Sequence, residues 1–465
     1  MVDTRTETDA LGSLQVPKES YYGIKTQRAL ENFPMTTYAL DDDFIDSLAM
    51  VKKASAIANY ETGLLNESIK DAIVQACDEI LKGKWHDQFV VDPIQGGAGT
   101  SINMNTNEVI ANRGLEILGE EKGNYSIISP NSHVNCAQST NDAVPTAFRM
   151  TVLTKLDQLI PAFKDLEKSL NRKAEEFDAL IKMGRTHLQD AIPIRLGQEF
   201  AAYGSAVKRS VERMEKLKES LTSVNMGATA VGTGLNASVD YIERVIEELT
   251  AVSGFPISLA DSLVDATQNT DFYSDISSAL KTSMLSLSKI ANDLRLMASG
   301  PRAGLNEINL PQRQPGSSIM PGKVNPVMPE LINQINFQVF GNDATVSMAV
   351  EAGQFELNVM GPVIFHNILE SLTLMTNGVR VFKEYCIDGI TANAQTMEDY
   401  VNQSVGIITA ISPQIGYEEA SVIAKKALES GRSVREITLE EGILSEGQLD
   451  QLLDPFEMTS PGIIE

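Results

Sequence analysis

Apolar side chains recur along most of this chain in steps of three and four, the spacing that lines up one face of an α-helix. Phe44, Leu48, Val51, Ser55 and Ala58 follow the acidic start Asp41-Asp42-Asp43, and Ile69, Ile73, Ala76 and Ile80 repeat the spacing up to Gly83. The longest run, Leu196, Phe200, Tyr203, Val207, Val211, Met214, Leu217, Leu221 and Val224, corresponds to about 43 Å of helix. Ile276, Leu280, Met284, Leu287, Ile290, Leu294 and Met297 predict a second long helix from Asp271, stopped by Gly300-Pro301. Further helices are predicted through Ile332, Ile335 and Val339, and through Ile364, Ile368, Leu372 and Met375. Residues 152–180 are a further apolar run, which Pro161 should kink or divide.

Residues 1 to about 40 show no helical period and read as a turn-rich arm, and after about residue 396 the helices shorten to pieces such as Tyr417–Ser430 and 445–453. Few strands are visible. The fold class expected is therefore mainly all-α in three domains: 1–138 with the arm and short helices, 139–396 as an elongated bundle of long helices, and 397–465 as a small helical domain. The segment 406–416 in the last of these reads as a hinge or as a packing site.

Four polar stretches interrupt the helices. Residues 92–107 (Asp-Pro-Ile-Gln-Gly-Gly-Ala-Gly-Thr-Ser-Ile-Asn-Met-Asn-Thr-Asn) carry one charge and read as a loop, either a plain connection or, through Thr100 and Ser101 at a helix start, an anion contact. Residues 131–146 hold Ser139, Thr140 and Asn141 in succession, which either cap the next helix or bind something. Residues 184–191 contain Thr186 and His187, one of only four histidines. Residues 316–329 (Gly-Ser-Ser-Ile-Met-Pro-Gly-Lys-Val-Asn-Pro-Val-Met-Pro) are too rich in proline and glycine for a continuous helix or a central strand. No acidic side chain occurs between Ile308 and Pro329, although Arg313 and Lys323 do, in a chain of net charge −24. Backbone amides, Ser317, Ser318, Lys323 and Asn325 make a receptor for carboxylate oxygens.

Two patterns are decoys. Five residues, not four, separate Gly316 from Gly322, and valine follows the lysine, so this is no phosphate-binding P-loop. Gly232-Thr-Gly-Leu-Asn-Ala237 matches a dinucleotide fingerprint, but no parallel-sheet unit is expected around it.

The composition narrows the function. Acidic charge without basic clusters argues against nucleic acid as a partner. No uncharged apolar run reaches the roughly 18 residues that cross a membrane, and the first seven residues lack the features of a signal peptide, so a soluble, cytoplasmic protein is expected. Cys77, Cys136 and Cys386 are too scattered for a disulfide framework or a zinc site. With 6% aromatic residues, the core should be aliphatic and rich in methionine.

Gly316-Ser-Ser-Ile-Met-Pro-Gly-Lys-Val-Asn-Pro326 resembles the signature of the fumarase/aspartase superfamily of lyases, and the likeness extends from Tyr21-Tyr-Gly23 to Gly406-Ile-Ile-Thr-Ala410. Gln138-Ser-Thr-Asn-Asp142, Gly300-Pro-Arg-Ala-Gly-Leu-Asn-Glu307 and Val324-Asn-Pro-Val-Met-Pro-Glu330 are more similar to the aspartase branch than to the fumarases. One departure is Gly361, where the family usually carries a charged residue.

The resemblance implies reversible deamination of L-aspartate to fumarate and ammonia, in a homotetramer whose active sites are shared between subunits. It implies Ser317 as the general base that takes a proton from Cβ. Thr100, Ser139, Thr140 and Ser318 would grip the β-carboxylate, Thr186, Lys323 and Asn325 the α-carboxylate, while Asn141 and His187 would receive the amino group. No organic cofactor and no resident metal are implied, although some members respond to divalent metal. Three other readings stand beside this one: a fumarate hydratase of the same superfamily, a non-catalytic scaffold, and a serine hydrolase, the last lacking any nucleophile-elbow pattern.

Overall fold

The computed structural model describes residues 3–454 and 456–462. An antiparallel hairpin, β1 (Thr4–Asp9) and β2 (Gly12–Pro17), precedes α1 (Ile24–Asn32), α2 (Asp42–Glu61), α3 (Glu67–Ile80), α4 (Thr100–Ile117) and the long α5 (Thr140–Glu176). A second hairpin, β3 (Ile181–Thr186) and β4 (Gln189–Arg195), leads into α6 (Leu196–Leu221). Then come β5 (Ser223–Val224), α7 (Val239–Ser253), β6 (Ser258–Leu259), α8 (Leu263–Gln268) and α9 (Asp271–Met297). Next are β7 (Ile308–Asn309), α10 (Val327–Glu351), α11 (Gly361–Tyr385) and β8 (Thr391–Ala392), which pairs with β7. The short helices α12 (Ala394–Gln403), α13 (Ile408–Ile415), α14 (Tyr417–Ser430), α15 (Val434–Glu440) and α16 (Glu446–Leu452) complete the order.

The expected fold class holds: the molecule is mainly α, and the periodic positions that predicted its long helices are buried, among them Phe200, Val207 and Met214 on α6 and Ile276, Leu280 and Met284 on α9. The chain divides into two units. The first comprises the chain up to Ile160, Glu212–Thr282 and Phe337–Thr376. Its core holds an aromatic cluster in which Phe148 stacks on Phe365 at 4.2 Å and meets Tyr273 edge-on at 5.3 Å, with Phe44 edge-on to both phenylalanines. These stacked and edge-to-face pairings suit the ring quadrupoles. Gly361 lies against this cluster: an added Cβ would sit 3.2 Å from the Phe365 ring, so the departure bears on local packing.

The second unit comprises Pro161–Val211, Ser283–Asn336 and the chain from Asn377 on. Its C-terminal helices pack Val401, Ile407, Ile411, Ile423, Ile437 and Leu449 around Met183 of β3. The open question over 406–416 is settled as packing, because a Cβ on Gly406 would lie 2.1 Å from the Ala191 carbonyl oxygen of β4.

Several expectations change in the structure. The arm is not structureless: its alternating polar residues pair as β1–β2, and α1 is anchored by Glu108 of α4. That buried carboxylate accepts from the amides of Gly23 (2.8 Å), Lys25 (2.9 Å) and Thr26 (3.1 Å), supplying from another helix the cap that α1 lacks in its own sequence. The expected loop 92–107 ends at Gly99, and its later asparagines lie on α4. Asn103, Asn105 and Asn107 are buried there and bond to side chains and backbone far away in sequence. Pro161, expected to kink the run or start a new helix, starts none: α5 runs unbroken from Thr140 to Glu176. Proline removes one amide donor, and burial of Leu156, Leu159, Phe163 and Leu166 on both sides of it outweighs that single loss.

A parallel pair does bracket the glycine-rich decoy, contrary to expectation, since β5 and β6 pair in parallel around α7. Each strand has two residues, Gly232 packs against the Val264 backbone, and Ser238 already caps α7, so no dinucleotide cradle forms.

Candidate active site

The polar stretch 316–329 folds as a loop closed on itself, with its last residues entering α10 at Val327. The Gly316 amide donates to the Lys323 carbonyl at 2.8 Å, and a Cβ on Gly316 would lie 2.4 Å from that oxygen, so glycine is required by close approach. The Asn325 carboxamide donates to the Gly316 carbonyl at 2.8 Å, closing the base of the loop. Inside it, the Ser317 hydroxyl oxygen accepts from two consecutive backbone amides, Ile319 at 3.2 Å and Met320 at 3.1 Å. Two amides aimed at one oxygen stabilise negative charge on it, which is the local requirement for a serine that acts as a base. Ser318 and Lys323 are exposed, and the Lys323 ammonium has no acidic partner among the described residues. The other cation of this region, Arg313, lies over the Tyr385 ring at 3.9 Å.

Thr186 and His187 occupy the tip of the β3–β4 hairpin, exposed, with Thr186 paired to Gln189. His187 (φ 55°) and Leu188 (φ 62°) form a two-residue turn with both residues left-handed, the geometry whose twist matches a hairpin. The stem of this hairpin is held by charge. Glu307, fully buried, accepts from Arg185 at 2.8 Å and lies 3.1 Å from the Lys182 ammonium, which also pairs with Glu199 at 3.0 Å. These struts join the motif 300–307 to the motif 184–191 and fix the strand from which Thr186 and His187 project.

Thr100 is the first residue of α4, exposed, at a helix start that no side chain caps. Ser139, Thr140 and Asn141 open α5, and their surroundings explain their orientation. The Asn141 carboxamide donates to the Ala230 carbonyl at 2.7 Å, which leaves its oxygen as an acceptor suited to an ammonium group. Asp142, buried below them, accepts from the amides of Ser139 (2.9 Å), Thr229 (2.9 Å) and Gly227 (3.2 Å). Burial pushes its carboxyl up to about 6, against the pull of those amides. Thr140 accepts from the Asn103 carboxamide at 3.1 Å.

Of the ten residues singled out in the sequence, Thr100, Ser139, Thr140 and Asn141 belong to the first unit, and Thr186, His187, Ser317, Ser318, Lys323 and Asn325 to the second. Sequence reasoning missed their support: Glu307 and Arg185 behind the hairpin, and Lys52, Asn103 and Asp142 behind the start of α5. One signal was available, since Lys52 stands four residues after Leu48 on the apolar stripe of α2, where a charge is out of place. Among the described residues no cluster of three histidine, cysteine or acidic side chains is arranged to hold a metal ion, and no helix is long and apolar enough to cross a membrane.

The family model described as Lyase matches residues 12–341, and the one described as Fumarase C C-terminus matches residues 407–460. An aspartate ammonia-lyase of a Bacillus species is 60% identical over 461 residues, covering 99% of this chain and 98% of that one. The aspartate ammonia-lyase of Escherichia coli strain K12 is 50% identical over 460 residues, covering 98% and 96%. Among solved structures, a fumarate lyase:delta crystallin from Brucella melitensis bound to cobalt is 48% identical with a TM-score of 0.96, covering 99% of this chain and all of that one (100%). A class II fumarase from Schistosoma mansoni is 34% identical with a TM-score of 0.95 over 99% of this chain and 100% of its own.

Proposed function

This chain belongs to the fumarase/aspartase superfamily of lyases, and from that premise we infer that it is a carbon–nitrogen lyase that removes ammonia from L-aspartate to give fumarate, reversibly. The observation that carries the substrate is identity of 50% to 60% over nearly the full length to proteins named for that reaction, against 34% to the fumarase. The test is purified protein with L-aspartate, followed by the ultraviolet absorbance of fumarate. Absorbance should rise with aspartate and not with malate; the reverse pattern would make it a hydratase.

The reaction is difficult because a carbanion must develop at Cβ beside a carboxylate that is already ionised. In our reading Ser317 takes the Cβ proton as an alkoxide, and the electron pair it leaves spreads into the β-carboxylate as a doubly charged aci-carboxylate. Collapse of that pair into the new C=C bond expels the amine as ammonia, and the proton stays on the Ser317 oxygen. The amides of Ile319 and Met320 support this role, since they stabilise the oxyanion before any proton moves. Thr100, Ser139, Thr140 and Ser318 grip the β-carboxylate, and Thr186, Lys323 and Asn325 hold the α-carboxylate. Asn141 and His187 receive the amine. The exposed hydroxyls of Thr100, Thr186 and Ser318, the Lys323 ammonium without an acidic partner among the described residues, and the Asn141 oxygen left as an acceptor support these assignments. Closure of the 310–330 loop over the substrate would exclude the water that otherwise weakens every one of these contacts. No step draws on an organic cofactor or a metal. A cytoplasmic setting fits three thiols without a disulfide.

We also propose a homotetramer whose sites are completed by neighbouring subunits. Support comes from apolar side chains left bare on long helices: on α10 Phe337, Phe340 and Met348 are 66%, 52% and 75% exposed, a face that needs a partner helix. Two inactive variants, Ser317→Ala and Asn141→Ala, co-refolded should then recover part of the activity, because some mixed sites draw only intact residues. No recovery with hybrid tetramers demonstrated would place each site within one chain.

A further inference from the structure

Lys52 of α2 is fully buried, and its ammonium donates to three side-chain amide oxygens: Asn103 at 2.7 Å, Gln138 at 2.8 Å and Asn135 at 3.0 Å. Among the described residues no carboxylate touches it; Asp142 acts on it only through space, and burial pushes it down to about 7. A buried charge held by neutral groups alone is costly, and helix packing gives no reason for one. The chemistry of the groups around it does.

An ammonium only donates, so each amide must turn its oxygen toward Lys52. For Asn103 this decides what faces the other way. With its oxygen held by Lys52, its N–H₂ donates to the hydroxyl of Thr140 at 3.1 Å and to the Asn135 oxygen at 3.1 Å. The Thr140 hydroxyl is therefore an acceptor on its inner side, and among the described residues it donates to nothing. A flipped Asn103 would take the Thr140 proton and leave a lone pair facing any incoming anion.

We propose that Lys52 is a positioning residue which, through Asn103, presets the Thr140 hydroxyl as a hydrogen-bond donor to the substrate's β-carboxylate. The inference rests on the reading of Thr140 as a ligand of that carboxylate. Asp142 complements it by holding the Ser139 amide at 2.9 Å, while Lys52 fixes the sense of the hydroxyl next to it. The carboxylate concerned gains charge in the transition state, so the preset donor acts mainly on kcat.

Asn103→Asp tests this without removing the buried partner. The new carboxylate keeps Lys52 paired but offers Thr140 an acceptor where it had a donor, and the hydroxyl turns inward. The variant should stay folded, with kcat/KM for aspartate down about 10- to 100-fold, the size of one hydrogen bond to a charged group, and with most of the loss in kcat. Lys52→Met should fall in the same range where it folds. Either change combined with Thr140→Val should cost no more than Thr140→Val alone, because all act through one hydroxyl. A merely structural lysine would lower thermal stability and leave that split and that coupling unchanged. Wild-type kcat/KM in Asn103→Asp, or losses that simply add in the double variants, overturns the proposal while the carboxylate reading stands. Wild-type kinetics in Thr140→Val overturns the carboxylate reading itself, and the proposal with it.

Discussion

Replacing Ser317 by alanine is expected to nearly abolish turnover while leaving the fold and thermal stability almost unchanged. The side chain is half-buried in a loop, and its hydroxyl accepts two bonds from amides of the same loop, Ile319 and Met320. Removing it leaves those amides able to reach water, so stability changes little. Catalysis loses the atom that takes the proton. A positioned general base contributes roughly 10²- to 10⁴-fold, and the loss in kcat should be at least of that size, with KM for aspartate little affected because Ser317 grips no carboxylate. Steady-state kinetics beside a thermal melt decides it. A variant that keeps more than about a tenth of wild-type activity would move the base elsewhere. Ser317→Cys adds a second reading, since the same two amides would then face a larger, softer anion and a partial activity with an altered pH profile is expected.

Lys323→Met is expected to raise KM for aspartate and lower kcat together, with kcat/KM reduced by at least about 30-fold, in line with the roughly 2–5 kcal/mol lost when one partner of a desolvated charge pair is truncated. The ammonium stands exposed on the loop with no acidic side chain on it, in a protein of net charge −24, so its pairing with an anionic substrate is left open by the fold. Grip on a carboxylate in ground and transition states alike appears in KM, and stabilisation of a nearby Ser317 alkoxide appears in kcat. The Lys323 carbonyl is bonded to the Gly316 amide, which ties the backbone of Lys323 to the residue preceding Ser317. Lys323→Arg should lose less than Lys323→Met but more than nothing, because the planar guanidinium keeps the charge without the compact geometry. Circular dichroism controls for folding, since nothing in the loop's backbone bonding uses the ammonium. An unchanged KM in Lys323→Met would refute the carboxylate assignment and direct attention to Arg313, whose guanidinium would first have to leave the Tyr385 ring.

The long helices were legible in the sequence, and so was the family. Apolar positions at steps of three and four place Phe200, Val207 and Met214 on one face whatever that face packs against, because the helical period is a local property of the backbone. The composition of 316–329 likewise excluded a continuous helix or a central strand, and the stretch is a loop up to Pro326, where α10 follows; its motif identified the family. From composition alone Ser317 and Ser318 stood as equals, and only the resemblance to the family set Ser317 apart as the base. The features that escaped the sequence depend on partners distant in the chain. The asparagines of α4 read as loop residues because polar side chains normally seek water. They are helical here because groups from other segments satisfy them, as Asn105 is satisfied by the backbone of Gln88 and Val90. Glu108 caps a helix that begins more than eighty residues earlier, and no window of sequence contains both. The hairpins stayed hidden because strands of six or seven residues carry too few alternations to stand out. Lys52 shows the limit most plainly: its three amide partners lie 51, 83 and 86 residues away, and a buried ammonium gains its meaning only from the oxygens that the fold turns toward it.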